Sequence, residues 1–195
     1  MTSLSVHPGP IRAVCEPRRK LAFALTPRSI GLLTAGFLLL IPGFYVPRLR
    51  YSMLIWDSIV LLAALLDGLR LPYPSLLTVE RSWSNAPALD SETEIELSVT
   101  NQGRVILDCL LTDDLPPALA SEPIPQRLTA FPRVAARKRF RITPRERGDC
   151  ETGSLYVRYR SPLGLAERWA IASLAQPVRI YPALRTGEEQ QMFLA

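Results

Sequence analysis

The chain has 195 residues, enough for one ordinary domain with an appendage, since domains usually run to roughly 100 to 200 residues. Its net charge of +5 fits an anionic bilayer surface as well as nucleic acid, so charge alone does not choose between them. Three cysteines without a CxxC spacing argue against a disulfide framework or a zinc site, and a single histidine, His7, argues against most histidine-dependent hydrolase mechanisms.

Residues 1–29 form a basic N-terminal tail, and we expect Met1 to Pro17 to be loose. Two apolar segments follow within residues 30–71. The first, residues 30–46, carries no charge and would span about 25 Å as a helix. The second, residues 53–69, is apolar but contains Asp57 and Asp67. Because only a turn fits between them, the pattern predicts a transmembrane helical hairpin.

Two other interpretations of these segments stay open. The first apolar segment could be a cleaved signal peptide, although its charged leader is long and no small-x-small cleavage pattern follows it. The two segments could also form a buried helical hairpin of a soluble protein, because both are short for membrane spans.

Basic residues predict the orientation of the hairpin. The positive-inside rule places both flanks in the cytoplasm, because the flanks are richer in Arg and Lys than the turn. The flanking residues are Arg12, Arg18, Arg19, Lys20, Arg28 and Arg70, against Arg48 and Arg50 in the turn. We expect Asp57 to lie at the outer interface and to pair with Arg48 or Arg50, with an intramembrane functional acid as the alternative.

Small residues in the first apolar segment predict close packing of the two helices. Gly36 and Gly43 are seven residues apart and so share a helix face. Small side chains permit the close backbone approach that membrane helices use. We expect these glycines to pack the two helices together rather than to bind a partner.

After Pro72-Tyr73-Pro74, which ends the helical pattern, the apolar period becomes two. About seven short strands follow, with no convincing helix, which predicts an all-β, immunoglobulin-like antiparallel sandwich over residues 76–182. Residues 183–195 form a tail that we expect to be truncated. The alternating apolar sets include Leu77 and Val79; Ile95, Leu97 and Val99; and Leu155, Val157 and Tyr159.

The β-region offers little that predicts catalysis. Cys109 shares a strand face with Leu107 and Leu111, so we expect a buried apolar thiol. Asp113 and Asp114 are adjacent and point to opposite faces of a strand, so we expect solvated acids at a strand end rather than a catalytic pair. No glycine-rich phosphate loop is present. We therefore predict no catalytic residue, cofactor or metal.

One basic run lies in the β-region with almost no acid to balance it. A domain held at a membrane could use such a run to bind anionic lipid or a partner. A charged edge strand that discourages aggregation is the alternative, and nucleic-acid binding is disfavoured because no aromatic residues are interleaved. The candidate surface residues are Arg133, Arg137, Lys138, Arg139 and Arg141.

An ordered set of short motifs carries a resemblance to a known family. Arg147-Gly148 precedes the alternating strand at Leu155 to Tyr159, and Pro162-Leu163-Gly164-Leu165 and then Val178 to Pro182 follow it. In this order the motifs resemble the bacterial and archaeal family called domain of unknown function fifty-eight (DUF fifty-eight). The resemblance implies structural roles for Arg147, Gly148, Pro162, Gly164 and Leu165.

The resemblance further implies partnership with a MoxR-type AAA+ ATPase and with neighbouring membrane proteins. Two departures weaken that implication. Ser161 stands where members commonly have an acidic residue, and members typically continue into a von Willebrand factor A-like domain that these 195 residues lack.

From the residues and the resemblance together we predict a non-enzymatic, two-pass bacterial inner-membrane protein. Its β-domain is expected in the cytoplasm as a surface for protein–protein interaction, with no nucleic acid and no small-molecule ligand. A periplasmic module that binds envelope polymer is the alternative, and a nonfunctional fragment of a longer family member is a third.

Overall fold

A computed structural model describes residues 8–18, 23–46, 49, 51–120, 123 and 125–182 of the chain. Two apolar helices are followed by mostly antiparallel β-sheets, which confirms the order of elements expected from the sequence. Arg48 and Arg50, expected as partners of Asp57, and the tail from residue 183 lie outside the described residues.

The first apolar helix runs from Pro27 to Tyr45 in three pieces. Helix α1 (Pro27–Gly36) leads through a 3-10 turn (Phe37–Leu39) into helix α2 (Leu40–Tyr45). The side chain of Thr26 caps the start of α1 by accepting a hydrogen bond from the Ser29 backbone N–H. The tighter turn precedes Pro42, which has no N–H to donate to the preceding turn of the helix.

Helix α3 (Ser52–Arg70) is the second apolar helix, and it lies against α1. Trp56 Nε1 donates a hydrogen bond to the carbonyl of Leu32 at 2.9 Å. At Gly36 a Cβ atom would lie only 2.5 Å from a carboxylate oxygen of Asp57, so the glycine permits this approach. The prediction that Gly36 packs the two helices together is confirmed.

Twelve strands form three sheets in the described part of the chain. One sheet has the order β1-β4-β5-β8, a second has the order β2-β11-β10-β6-β7 with β3 also paired to β11, and β9 pairs with β12. The bounds are β1 Ile11–Val14, β2 Glu16–Pro17, β3 Ala24–Leu25, β4 Leu77–Trp83, β5 Thr93–Asn101, β6 Leu107–Asp113, β7 Gln126–Ala130, β8 Ala135–Ile142, β9 Gly148–Thr152, β10 Leu155–Arg160, β11 Ala166–Ala172 and β12 Gln176–Ile180.

The inward positions of both large sheets supply one apolar core. Burial alternates with a period of two along β5, β6 and β10, as the sequence pattern predicts. The fully buried apolar residues include Val79, Ile95, Leu97, Val99, Leu107, Leu111 and Leu155. Cys109 lies among them, which confirms its expected burial.

The N-terminal tail is more ordered than expected from its composition. Strand β1 pairs with β4, and β2 and β3 pair with β11, so residues 11–14, 16–17 and 24–25 join the two large sheets. The expectation of a loose segment up to Pro17 is wrong for residues 11–17. These strands are two to four residues long, and such short strands carry little alternation for a sequence pattern to detect.

Both ends of the helical segment enter the same β-region. Strand β3 immediately precedes α1, and β4 follows α3 after a linker with a 3-10 turn at Pro74–Leu76. Strand β3 pairs with β11 and leads into α1, and β4 pairs with β1 and β5 and begins soon after α3. The chain therefore leaves the sheets for the helices and returns to the sheets at the same end. We call this end the helix-side end of the β-region.

Candidate functional site at the helix–sheet junction

Asp67 is the central side chain of the junction between α3 and the sheets. It lies in the last turn of α3 and is 2% exposed. Its Oδ2 accepts hydrogen bonds from the backbone N–H groups of Leu165 and Ala166, both at 3.0 Å, and its Oδ1 accepts one from Ser161 Oγ at 2.5 Å. A buried carboxylate is tolerated here because three donors converge on it.

The start of α1 meets the same turn from the other side. Thr26 Oγ1 donates to the carbonyl of Gly164 at 2.6 Å, and Ser29 Oγ donates to the carbonyl of Leu165 at 2.6 Å. Thr26 and Ser29 are both fully buried. The turn at residues 161–165 is therefore bound by hydrogen bonds to the first turn of one apolar helix and to the last turn of the other.

Two further side chains from the sheets bind the chain where it leaves α3. The hydroxyl of Tyr159 donates to the carbonyl of Pro72 at 2.8 Å. Arg168 donates from Nη2 to the carbonyl of Gly68 at 3.2 Å. At Gly68 a Cβ atom would lie only 2.6 Å from the ring of Phe23, so this glycine allows the aromatic side chain to pack against the helix end.

The five residues to which the resemblance assigns structural roles lie in two different places. Pro162, Gly164 and Leu165 lie in the turn at the junction, and Gly164 has φ +65, a conformation that favours glycine. Arg147 and Gly148 lie elsewhere, at the start of β9, where both residues are exposed. The structure thus brings three of the five to the helix–sheet junction.

A second buried polar cluster joins the two large sheets. Arg81 on β4 is fully buried, and its five N–H groups all find acceptors. Nε and Nη2 bind the two carboxylate oxygens of Asp113 on β6, Nη1 binds Thr152 Oγ1 at 2.7 Å and the carbonyl of Leu174 at 2.9 Å, and Nη2 also reaches the carbonyl of Gly153. A fully paired guanidinium of this kind fixes how the sheets lie against each other.

Asp113 corrects the expectation of two solvated acids. Asp114 is exposed as expected, but Asp113 is 3% exposed and faces inward in line with Leu107, Cys109 and Leu111. Burial raises the pKa of the Asp113 carboxyl, while Arg81 beside it opposes that rise. Arg81 binds both oxygens of this carboxylate, so Asp113 joins the two large sheets.

The basic run lies mostly on β8, which is the last strand of its sheet. The expectation that the run has almost no acid to balance it is wrong in three dimensions, because Glu96 on β5 and Glu92 just before β5 lie opposite it. Glu96 forms ion pairs with Arg139 at 2.5 Å and with Arg137 at 3.6 Å. Arg141 approaches Glu92 at 3.5 Å. These pairs partly neutralise the outward face of the strand.

The other two members of the predicted basic surface lie apart from those arginines. Lys138 occupies the alternate side of β8 and is exposed. Arg133 precedes β8 at the helix-side end, with φ 61, and its N–H donates to the carbonyl of Asn101 at 2.6 Å. The five residues therefore do not form one continuous positive face.

A face that the sequence did not indicate lies on the six-stranded sheet, on the side away from the core. Arg18 lies over the ring of Tyr156, with its guanidinium carbon 4.5 Å from the ring centroid. A shallow cleft beside them is lined by Arg18, Leu110, Thr112, Tyr156, Arg158 and Trp169. Because these residues come from β6, β10, β11 and the position just after β2, arginines and aromatic rings are interleaved here although they are not interleaved in the sequence. We call this surface the outer face.

The described residues do not bring together a group of three or more His, Cys, Asp or Glu side chains that could hold a metal ion. Cys15 and Cys109 are buried, and burial raises the pKa of each thiol to about 12. Such thiols are poor nucleophiles at neutral pH. Cys150 is only partly buried, and its Sγ donates to the carbonyl of Val178.

Sequence reasoning missed Asp67, Thr26, Ser29 and Arg81 as important positions. Arg81 did carry a signal, because it occupies an inward position of the Leu77, Val79 alternation, where only a paired charge is stable. Asp67 carried no comparable signal. Its partners lie 94 or more residues away, so nothing local identifies them.

Comparisons with protein-family models and with curated proteins identify no relative of this chain. The resemblance to the DUF fifty-eight family therefore stays a prediction.

Proposed function

We propose that the chain is a two-pass membrane protein whose β-region is held rigidly against its membrane helices and serves as a non-catalytic interaction module. The observation that carries the proposal is the junction at residues 161–165, which is bonded to Asp67 of α3 and to Thr26 and Ser29 at the start of α1. An anchor that only tethered its domain would not need this set of buried hydrogen bonds.

The exposure of the two helices supports a membrane environment. Both are long and apolar enough to cross a bilayer by length and composition, yet only 11% and 22% of the two segments are buried. Phe44, Leu38 and Ile59 are among the exposed apolar side chains. Contiguous apolar surface of this size is unusual on soluble monomers, which argues against the soluble helical pair.

Both flanks of the helices belong on one side of the membrane under this proposal. Strands β1 to β3 before the first helix pair with β4 and β11 after the second, and this pairing is incompatible with flanks on opposite sides of a bilayer. A cleaved signal peptide is also disfavoured, because cleavage after the first helix would remove these strands from the sheets.

Basic residues at the helix-side end support the cytoplasmic orientation. Arg28 and Arg70 lie at the two helix ends, and Arg104 and Arg133 lie in loops at the same end of the β-region. Arginine close to the ends of membrane spans favours the cytoplasmic leaflet, which carries anionic lipids.

We further propose that the two large sheets form a sandwich of immunoglobulin-like build. Their inward residues belong to one core, and Arg81 of one sheet binds Asp113 of the other. Antiparallel strands that alternate between inward and outward side chains are typical of such sandwiches.

The outer face is the surface we propose for a protein partner. Its arginines and aromatic residues are the types enriched in protein interfaces. Arg158 is paired with Glu167, whereas Arg18 and the exposed Arg127, which lies opposite Leu110 in the strand pairing and belongs to the same face, suit an acidic partner. A MoxR-type AAA+ ATPase is the partner that the family resemblance suggests. Binding of such a purified ATPase to the full chain should fall with Arg127→Glu on the outer face and should change little with Arg141→Glu on β8. The opposite result would assign the partner to the basic strand.

Alkaline carbonate extraction of cell membranes tests the anchor. The full chain should stay in the membrane pellet, and the double variant Leu38→Arg, Ile59→Arg should be lost from it because charge within a span is costly. Glu92→Arg, Glu146→Arg is the matched control, since it adds the same side chains at exposed positions of the β-region. Release of the unmodified, folded chain by carbonate would contradict the proposal.

A further inference from the structure

The β-region carries its exposed large apolar side chains at one end. In the described part of the chain outside residues 27–70, every such side chain lies in a loop or strand end at or near the helix-side end. They are Val14, Leu25, Tyr73, Leu76, Ile106, Phe131, Val134 and Leu163. We call this set the apolar rim.

Strand pairing places two loops of the rim side by side. Leu107 pairs with Ala130, so Ile106 and Phe131 flank the same point of the six-stranded sheet. Asn101 binds both loops, because its Nδ2 donates to the carbonyl of Val105 at 2.8 Å and to that of Ala130 at 3.3 Å. These bonds hold the loops of residues 102–106 and 131–134 together.

The same loops contact the linker that leaves α3. The N–H of Gln102 donates to the carbonyl of Leu76 at 2.9 Å. At Gly103 a Cβ atom would lie only 2.8 Å from Pro72, so this glycine allows the loop to lie against the linker. Leu163 projects from the turn that Asp67 binds and is 59% exposed. The rim therefore surrounds the point at which the helices enter the β-region.

Positive charge accompanies the rim. Arg28, Arg70, Arg104 and Arg133 are all exposed and lie at the helix ends or in the rim loops. The opposite end of the β-region differs, because its described loops expose no large apolar side chain and carry both signs of charge, with Arg145 and Arg147 beside Asp90, Glu92 and Glu146. Apolar side chains with arginines between them fit the boundary between anionic headgroups and acyl chains.

We infer that the apolar rim is seated in the headgroup region of the same bilayer that the helices cross, with Phe131, Val134 and Leu163 in the acyl boundary. This inference rests on the proposed membrane anchor and adds a second contact to it. The occupant is lipid rather than protein, because the rim is continuous with the exposed apolar surface of the helices and rigidly bonded to their ends. The β-region is thereby fixed in orientation, with the outer face directed sideways and the end opposite the rim directed away from the membrane.

Site-directed fluorescence of the full chain in vesicles of mixed zwitterionic and anionic lipid tests the inference. An environment-sensitive probe is attached in a Cys150→Ser background, because Cys15 and Cys109 are buried. The rim positions are Val134→Cys and Leu163→Cys. Glu146→Cys is the matched exposed position at the opposite end, and Ile59→Cys reports on α3.

Probes at 134 and 163 should be quenched by spin-labelled lipid and should show severalfold less quenching by aqueous iodide than the probe at 146. If the probes at 134 and 163 show the same quenching as the probe at 146, while the probe at 59 is quenched by lipid, the contact of the rim with lipid is contradicted and the proposed membrane anchor is retained. If the probe at 59 is not quenched by lipid either, the anchor itself fails. A third outcome is that the rim probes are shielded from iodide but are not quenched by lipid, and that this shielding disappears when the protein is diluted in the vesicles. That outcome would assign the rim to contact with a second copy of this chain and would overturn the lipid contact.

Discussion

The hydroxyl of Ser161 donates a 2.5 Å hydrogen bond to the buried carboxylate of Asp67, which joins the last turn of an apolar helix to a turn between β10 and β11. The same carboxylate accepts two backbone N–H groups of that turn. The turn at residues 161–165 thus receives its carboxylate partner from the helix. The β-region is therefore bound to the helices by polar contacts.

Replacement of Asp67 by Ala should destabilise the protein by about 2–4 kcal/mol, because three donors would lose a charged acceptor inside the junction. The measurement is the free energy of unfolding of the full chain in mild detergent. Asp149→Ala is the matched control, because Asp149 makes only an exposed ion pair with Arg179 and should cost less than about 1 kcal/mol. Equal costs for the two variants would contradict the role of Asp67.

Arg81→Met should cost about 3–5 kcal/mol of unfolding free energy, since Asp113 would be left buried without its partner. Asp113→Leu should be similarly costly, because it leaves the guanidinium unpaired. The double variant should cost much less than the sum of the two, as expected for a coupled pair. Additive costs in this double-mutant cycle would show that the two side chains do not depend on each other.

The three thiols should react at different rates with an alkylating reagent at neutral pH. Cys150 is partly exposed and should be modified first, while Cys15 and Cys109 should react only on unfolding because they are buried with a pKa of about 12. Mass spectrometry of the folded chain over time reports the order. Rapid modification of Cys109 in the folded protein would contradict its burial in the core.

Stability should fall at alkaline pH. The folded state holds the protons of Cys15 and Cys109 up to a pKa of about 12, whereas the unfolded chain releases them near the ordinary value of 9.0. Between these values the unfolded state binds fewer protons, so the free energy of unfolding decreases by about 1.4 kcal/mol per pH unit for each thiol. A Cys15→Ala, Cys109→Ala variant should show a shallower slope from pH 9 upward. An unchanged slope would contradict this linkage.

The period of apolar residues predicted most of the regular structure. The expected helices at 30–46 and 53–69 correspond to the observed Pro27–Tyr45 and Ser52–Arg70. Alternation also identified the strands at Leu77, Ile95 and Leu155, because a half-buried strand must alternate. Strands β1 to β3 were missed because each is too short to show a period.

The junction and the outer face could not be predicted in the same way. Asp67 has no local partner, and its environment depends on a turn that arrives about 94 residues later in the chain. Arg18, Tyr156 and Trp169 are separated in the sequence and meet only when β2, β10 and β11 pair. Long-range strand order decides such sites, and the local pattern of a single sequence does not determine that order.

Paired reporter fusions test the central claim most directly. Alkaline phosphatase, which is active only outside the cytoplasm, is fused after Ala195 and separately inserted between Val46 and Tyr51, with green fluorescent protein at the same two sites. A two-pass anchor with a cytoplasmic β-region predicts fluorescence at Ala195 and phosphatase activity only in the inter-helix turn. Phosphatase activity at Ala195 would contradict this orientation and would favour the periplasmic module, while fluorescence at both sites would contradict the membrane crossing.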